Sequence, residues 1–288
     1  MEPVQLTFAS ATRHTLFPEE QRRREVLHVL GRVVGGRVVL FAVVDDHLHV
    51  VLLCEPEETG LAARALLLAL RPVAAVAIAP AHVSEVRGRD HLEWLVRYLL
   101  EQPAHHGVAG HPALTTGSCF PDLVGARVVP GLSLQLPAAL PRYRLRDAYP
   151  LVGLPPERLV PASDPQIRAL GAHRLVAGAA QAAAAGPELG LGDVSVRVRT
   201  VAAHLAAQVG IPLDELAHAL GTTRDATRKM GRRAADPALL AATRTWLALE
   251  AASASAGSAA AVAAIEAASA RRAGKASAKP PRGASGAS

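Results

Sequence analysis

The stretch that most constrains this chain is residues 38–54, VVLFAVVDDHLHVVLLC. Two apolar runs rich in β-branched residues meet at Asp45-Asp46, and short polar residues between such runs predict two strands joined by a tight connection. Successive side chains of a strand alternate between faces. His47 and His49 are two apart, so both imidazoles project from one face of an otherwise apolar sheet. Two imidazoles on one face make a candidate metal site, where a divalent cation would polarise an oxygen or a phosphate. A satisfied surface pair is the other reading of this spacing, and the rest of the chain has to decide between them.

The flanking segments supply an order. Residues 4–10 alternate apolar and polar like a half-buried strand. Residues 18–33 read as a helix with Glu19 and Glu20 in the first turn and Gly35-Gly36 beyond its end. A second helix over 57–70 ends near Pro72, and a strand follows at 81–86. The order β-α-β-β-α-β is that of the split βαβ, or ferredoxin-like, arrangement, an α+β fold with an antiparallel sheet and helices. Residues 90–102 form a further helix, capped by Asp90 and stopped by Pro103. Tyr98 and Gln102 are four apart on it and share one side. Core packing beside Trp94 and Leu95 is the other role open to Tyr98.

The second half of the chain is helical in pattern. Residues 127–194 are punctuated by Pro and Gly and read as a connector with one or two helices, one opening at Asp164-Pro165. His105, His106 and His111 read as exposed imidazoles of a loop. Residues 200–209, 212–220 and 223–233 form three short helices separated by Gly210 and Gly221, the pattern of a helix-turn-helix. Another helix runs from Asp236-Pro237 to about residue 251 with Trp246 buried. Residues 252–288 are rich in Ala, Ser and Gly, a composition that builds no core, and a disordered basic tail is expected there.

Charge follows the same division. The net charge is +6. Residues 195–233 hold Arg197, Arg199, Arg224, Arg228, Lys229, Arg232 and Arg233 against only Asp214, Glu215 and Asp225. Beyond Glu266 there are basic residues and no acid, so a polyanion is attracted to the C-terminal part. Cys54 and Cys119 form no CxxC pair, which argues against a disulfide framework and against a thiolate zinc site. The first residues lack the pattern of a secretory signal. The most apolar stretch, 61–81, is interrupted by Arg64, Arg71, Pro72 and Pro80, so no membrane span is expected. The expectation is a soluble, cytoplasmic protein.

Two sets of motifs carry a resemblance. Val44-Asp45-Asp46-His47-Leu48-His49-Val50-Val51-Leu52 and the later Tyr98-Leu99-Leu100-Glu101-Gln102-Pro103 resemble the HUH single-tyrosine transposases, in particular the type associated with REP elements. That family shows Met-Pro-Asn-His-x-His after a strand and Tyr-Ile-x-x-Asn-Pro-Val on a later helix. Ser118-Cys119-Phe120-Pro121-Asp122 also resembles the family's Ser-Ser segment, and the likeness spans residues 1–126. Asp45-Asp46 replaces the family's Pro-Asn, and Gln102 replaces its Asn. Residues 201–227 are similar to the DNA-binding domain of the replication initiator DnaA, at Val201-Ala202-x-x-Leu205, Leu213-x-Glu215-Leu216-Ala217 and Gly221-x-x-Arg224-Asp225-x-Thr227.

The resemblance implies a catalytic domain over 1–126, a connector over 127–194, a helix-turn-helix domain over 195–251 and a tail over 252–288. It implies that His47, His49 and Gln102 bind Mg²⁺ or Mn²⁺ and that Tyr98 attacks a phosphate of single-stranded or hairpin DNA, leaving a 5′-phosphotyrosine. Thr223, Arg224, Thr227, Arg228 and Lys229 would then face duplex DNA. Homodimers are common in the family. The alternatives are a regulator that keeps only the helix-turn-helix function and a small-molecule metallohydrolase.

Overall fold

The computed structural model describes residues 1–157, 159–186 and 192–277. It is an α+β protein whose only sheet among the described residues has four antiparallel strands. The elements of the first half are β1 (Glu2–Ala9), α1 (Glu20–Val34), β2 (Val38–Val43), β3 (His47–Cys54), α2 (Pro56–Leu70), β4 (His82–Glu85) and α3 (Gly88–His105). The strand order is β2-β3-β1-β4, which places the histidine strand between two neighbours.

Register assigns each residue to a face, because partners directly opposite one another in an antiparallel pair project to the same side. Leu6 pairs with Val50 and Phe41 pairs with Val50, while Phe8 and Val43 both pair with Leu48. All of these side chains are fully buried. The helices α1 and α2 pack side by side and cover this face with Leu27, Leu30 and Leu66. The other face carries Thr7 opposite His49 and Ala9 opposite His47, and α3 crosses it. Polar side chains are therefore gathered on one side of the sheet under one helix.

The free edge of β2 is closed by the segment after α3. The Val43 N–H donates to the Gly117 carbonyl at 2.8 Å, and Ala42 bridges Ser118. A Cβ on Gly117 would lie 1.9 Å from the Val43 carbonyl oxygen, so only glycine permits this approach. Arg127 holds the segment from behind. Its buried guanidinium donates to the carbonyls of Thr116 at 2.7 Å and Ser118 at 2.6 Å, and pairs with the buried carboxylate of Asp122.

Helix α3 departs from its expected ends. It starts at Gly88 after an N-cap at Arg87, so Asp90 lies in the first turn and does not cap. It also continues through Pro103 to His105. Proline removes a single N–H, and in a last turn the cost is one intrahelical bond. The His106 and Val108 N–H groups then close the end on the carbonyls of Gln102 and Pro103, at 3.0 and 2.9 Å.

The second half contains α4 (Asp164–Ala182), α5 (Asp193–Val209), α6 (Leu213–Ala219), α7 (Arg224–Met230) and α8 (Pro237–Ser277). Ser163 is the N-cap of α4, one residue before the expected cap. Gly171 interrupts this helix at φ 77°, and the restarted helix is capped when the Ala172 N–H donates to Glu215 of α6 at 2.8 Å. Helix α8 opens with Asp236 accepting from the N–H groups of Ala238 and Leu239 at 2.9 and 3.2 Å. It runs to Ser277, where the sequence suggests an end near residue 251 and a disordered tail. Alanine has the highest helix propensity, and residues 251–277 are dominated by it. The remainder of the expected tail, 278–288, lies outside the described residues. Buried side chains form one continuous cluster from the sheet into these helices, including Leu175, Val201, Leu205 and Trp246. No helix among the described residues is long and apolar enough to cross a membrane.

Candidate metal and tyrosine centre

The turn between β2 and β3 separates two adjacent acids. Asp45 points toward α1, where Arg23 pairs with it at 2.6 Å and its carbonyl accepts from the N–H groups of Leu16 and Phe17. Asp46 points toward the histidines. Its Oδ1 lies 2.7 Å from His47 Nδ1 and 3.9 Å from His106 Nδ1. Burial acts to raise the Asp46 pKa, but the hydrogen bond and charge of His47 outweigh it and hold the carboxyl below its ordinary value.

His47 and His49 stand side by side on β3, with ring centroids 4.5 Å apart and planes at 77°. Thr7 Oγ1 of β1 lies 2.9 Å from His49 Nδ1 and accepts its proton when Nε2 is the free nitrogen, and the Gln5 side-chain amide lies 3.2 Å away. This leaves Nε2 facing α3, where the Tyr98 hydroxyl lies 3.4 Å away. Burial, followed by the nearby His47 and His106, lowers the His49 pKa to about 4. The ring is neutral at neutral pH, the state a metal ligand requires.

Helix α3 supplies the other half of the centre along one stripe. Trp94, Tyr98, Gln102 and His106 follow at four-residue intervals, so each lies one turn beyond the last. Tyr98 stacks on Trp94 with centroids 4.9 Å apart and planes at 12°. Gln102 is buried, and its Oε1 has no hydrogen-bond partner. The ring of His106, at the end of the helix, lies 5.1 Å from that of His47.

Comparison of the chain with protein-family models, curated proteins and solved structures finds no match. The residues themselves fit a divalent cation. His47 Nε2 and Gln102 Oε1 are both buried without a partner, and His49 Nε2 has only a long contact to a phenol. Buried polar atoms are almost always paired, so each of these atoms is open to a ligand. Among the described residues, Asp46, His47 and His106 also place one donor atom each within 4.8 Å of one another. His47 belongs to both sets. Asp46 on Nδ1 orients the His47 ring in the manner of an outer-shell carboxylate and leaves Nε2 open.

The structure brings Tyr98, His47 and His49 together and puts Gln102 one turn from the phenol. Asp46 and His106 also stand beside His47. His106 reads as loop in the sequence, yet its place on the stripe of Tyr98 and Gln102 is visible there once the helix is carried past Pro103. The Ser118 hydroxyl accepts from the Phe120 N–H at 3.1 Å, so this residue braces the turn.

The five residues expected to face duplex DNA divide. Thr223 is the N-cap of α7, accepting from the Ala226 N–H at 3.2 Å. Arg224 and Arg228 are exposed and pair with Asp214 at 3.4 Å and Asp225 at 2.8 Å. Lys229 is exposed. Thr227 is the correction. It is 1% exposed and its hydroxyl donates to the Thr223 carbonyl at 3.0 Å, so it packs α7 inward and offers nothing to a partner. The spacing fails here because α7 must turn one side toward α5, and Thr227 lies on that side.

Proposed function

We propose that this protein cleaves and rejoins single-stranded DNA through a covalent bond to Tyr98, as a metal-dependent transposase of the HUH single-tyrosine kind. The observation that carries this reading is the Tyr98 hydroxyl, 3.4 Å from His49 Nε2 and beside the paired ring of His47. A nucleophile and metal donors from separate elements meet on one face of the sheet. The strand order and the β-α-β-β-α-β succession support reading the sheet as ferredoxin-like. The helices α5 to α7 are read as the helix-turn-helix that holds the protein on duplex DNA, with Arg224, Arg228 and Lys229 outward.

In this reading His47, His49 and Gln102 would hold Mg²⁺ or Mn²⁺, with Asp46 and His106 bordering His47. When bound, the cation withdraws charge from the scissile phosphate and the leaving oxygen. Tyr98 supplies the nucleophile. The phenol gives up its proton, its oxygen forms a bond to phosphorus, the bond from phosphorus to the 3′ oxygen breaks, and that oxygen is released as a hydroxyl. Rejoining reverses these steps. Trp94 limits the rotation of Tyr98 by stacking on its ring, and the hydrogen bond to Thr7 fixes the His49 ring. Such chemistry takes place with the DNA, in the cytoplasm.

The test is incubation of the purified protein with a labelled single strand and Mn²⁺. A covalent adduct that survives denaturation is expected, and Tyr98→Phe must abolish it. Salt-sensitive binding to duplex without any adduct would leave a DNA-binding regulator instead.

A further inference from the structure

We infer that single-stranded DNA runs from Tyr98 across the open face of Trp94 into an arginine-lined groove, with one base stacked on the indole and the adjoining phosphates among Arg97, Arg142 and Arg144. This inference rests on the proposed function and adds the path of the strand outside the reacting phosphate.

Trp94 is 53% exposed, whereas Trp246 is 4% exposed. Isolated exposed apolar residues are ordinary, but Trp94 is not isolated. One face of its indole lies flat on Tyr98, and His91 borders it with ring centroids 6.0 Å apart. The exposed part of the indole is surface on which a flat partner can stack. A π-surface stacked on the proposed nucleophile lies where the base next to the scissile phosphate has to go.

The second observation is one of charge. A groove of about 380 Å³ lies between α3 and the segment around residues 142–151, and its rim includes Arg89, Glu93, Arg97, Arg142, Arg144 and Asp147. Arg89 is paired with Glu93 at 2.7 Å, and Asp147 is approached by Arg146 at 3.8 Å. Among the described residues, Arg97, Arg142 and Arg144 have no carboxylate within ion-pair distance. Arg97 is three residues after Trp94 on α3, so a residue of the groove rim neighbours the indole on the helix. A cationic groove adjoining an exposed aromatic face is the combination that binds single strands, because the groove follows the backbone while the ring takes a base. A duplex keeps its bases stacked on one another and has no free face for Trp94.

The experiment uses the full chain and an oligothymidylate, which forms no hairpin. Binding is followed by tryptophan emission and by the adduct assay. Stacking on Trp94 quenches the exposed tryptophan, and Trp94→Ala weakens binding by roughly 5- to 150-fold, the range that base–aromatic stacking spans on alanine substitution. Trp94→Phe retains most of the affinity. Replacing Arg97 and Arg142 by Ala together lowers the slope of log affinity against log salt by about 0.7 for each phosphate that is no longer neutralised. Unchanged emission together with unchanged affinity of Trp94→Ala overturns the path. If the adduct on Tyr98 still forms in that case, the proposed function stands without it. If the wild-type protein is quenched and binds as expected but forms no adduct, the path holds and the transposase reading fails. Equal quenching by a blunt duplex of the same length overturns the assignment to single strands.

Discussion

Gln102→Met separates a metal ligand from an ordinary buried glutamine, because the two roles predict opposite changes in stability. Gln102 is 3% exposed and its Oε1 is unpartnered. A buried acceptor without a donor costs about 1–3 kcal/mol relative to one that is satisfied or replaced by an apolar group of similar shape. Methionine is close to glutamine in length and volume and has no such acceptor. In EDTA, Gln102→Met is therefore expected to raise the stability by about 1–3 kcal/mol. At about 2–4 °C per kcal/mol for a chain of this order of size, Tm rises by roughly 2–12 °C. With Mn²⁺ the wild-type protein recovers most or all of that difference. A cation present at a hundredfold excess over its Kd stabilises the wild-type protein by about 2.7 kcal/mol, and the variant loses most of that gain. Differential scanning fluorimetry in EDTA and across a Mn²⁺ series reads both effects. A variant that is less stable in EDTA yet keeps the full Mn²⁺ shift would refute the assignment.

Three further outcomes follow from other parts of the molecule. Arg127→Ala strands the buried Asp122 carboxylate and two carbonyls, so urea unfolding should show a loss of about 3–5 kcal/mol. Burial lowers the His28 pKa against the opposing hydrogen bond to the Ala184 carbonyl. The folded value is thus below the unfolded one of about 6.5, so the contribution of the neutral ring is intact above that pH and is lost as pH falls through the folded value. Comparing urea midpoints of the wild-type protein and His28→Gln at pH 7.5 and 5.5 checks this, and the variant should lose less on acidification. Lys229→Ala should weaken duplex binding and reduce the salt slope by about 0.9, whereas Thr227→Ser should leave that slope unchanged, since Thr227 is buried.

The sheet is legible in the sequence because its signals are local. Alternation over residues 4–10, the Asp45-Asp46 break and the His47/His49 spacing follow from period two and turn chemistry, and the register adds Thr7 and Gln5 behind His49. The ends of α3 and α8 are less so. Whether Pro103 ends a helix depends on whether it falls in the interior or in the last turn, which the residue itself does not specify. An alanine-rich segment satisfies the composition of a disordered tail and also the highest helix propensity, and pattern alone does not choose between them. His106 escapes a reading of the sequence for a related reason, since it joins the stripe of Tyr98 and Gln102 only when α3 is carried past Pro103.

The placement of the centre also bears on the positions where this chain departs from the motif it resembles. The imidazoles lie on β3, bonded on both sides by β1 and β2, so the rings are carried by the most constrained strand of the sheet. The longer side chain at position 102 is then accommodated by α3 and not by the strand. Glutamine places its oxygen one methylene farther from the helix than asparagine would, and its orphaned Oε1 shows that the protein interior does not satisfy it by other means. The acid before His47 is accommodated differently. Arg23 takes Asp45 out of the centre, while Asp46 engages the Nδ1 of His47 and leaves Nε2 open. Loss of Asp46 should therefore loosen the orientation of His47 without removing a donor. Asp46→Asn, which keeps a hydrogen-bonding oxygen, should retain more Mn²⁺ affinity than Asp46→Ala, and isothermal titration of the two variants measures that difference directly. Equal affinities would mean that His47 is held by packing alone.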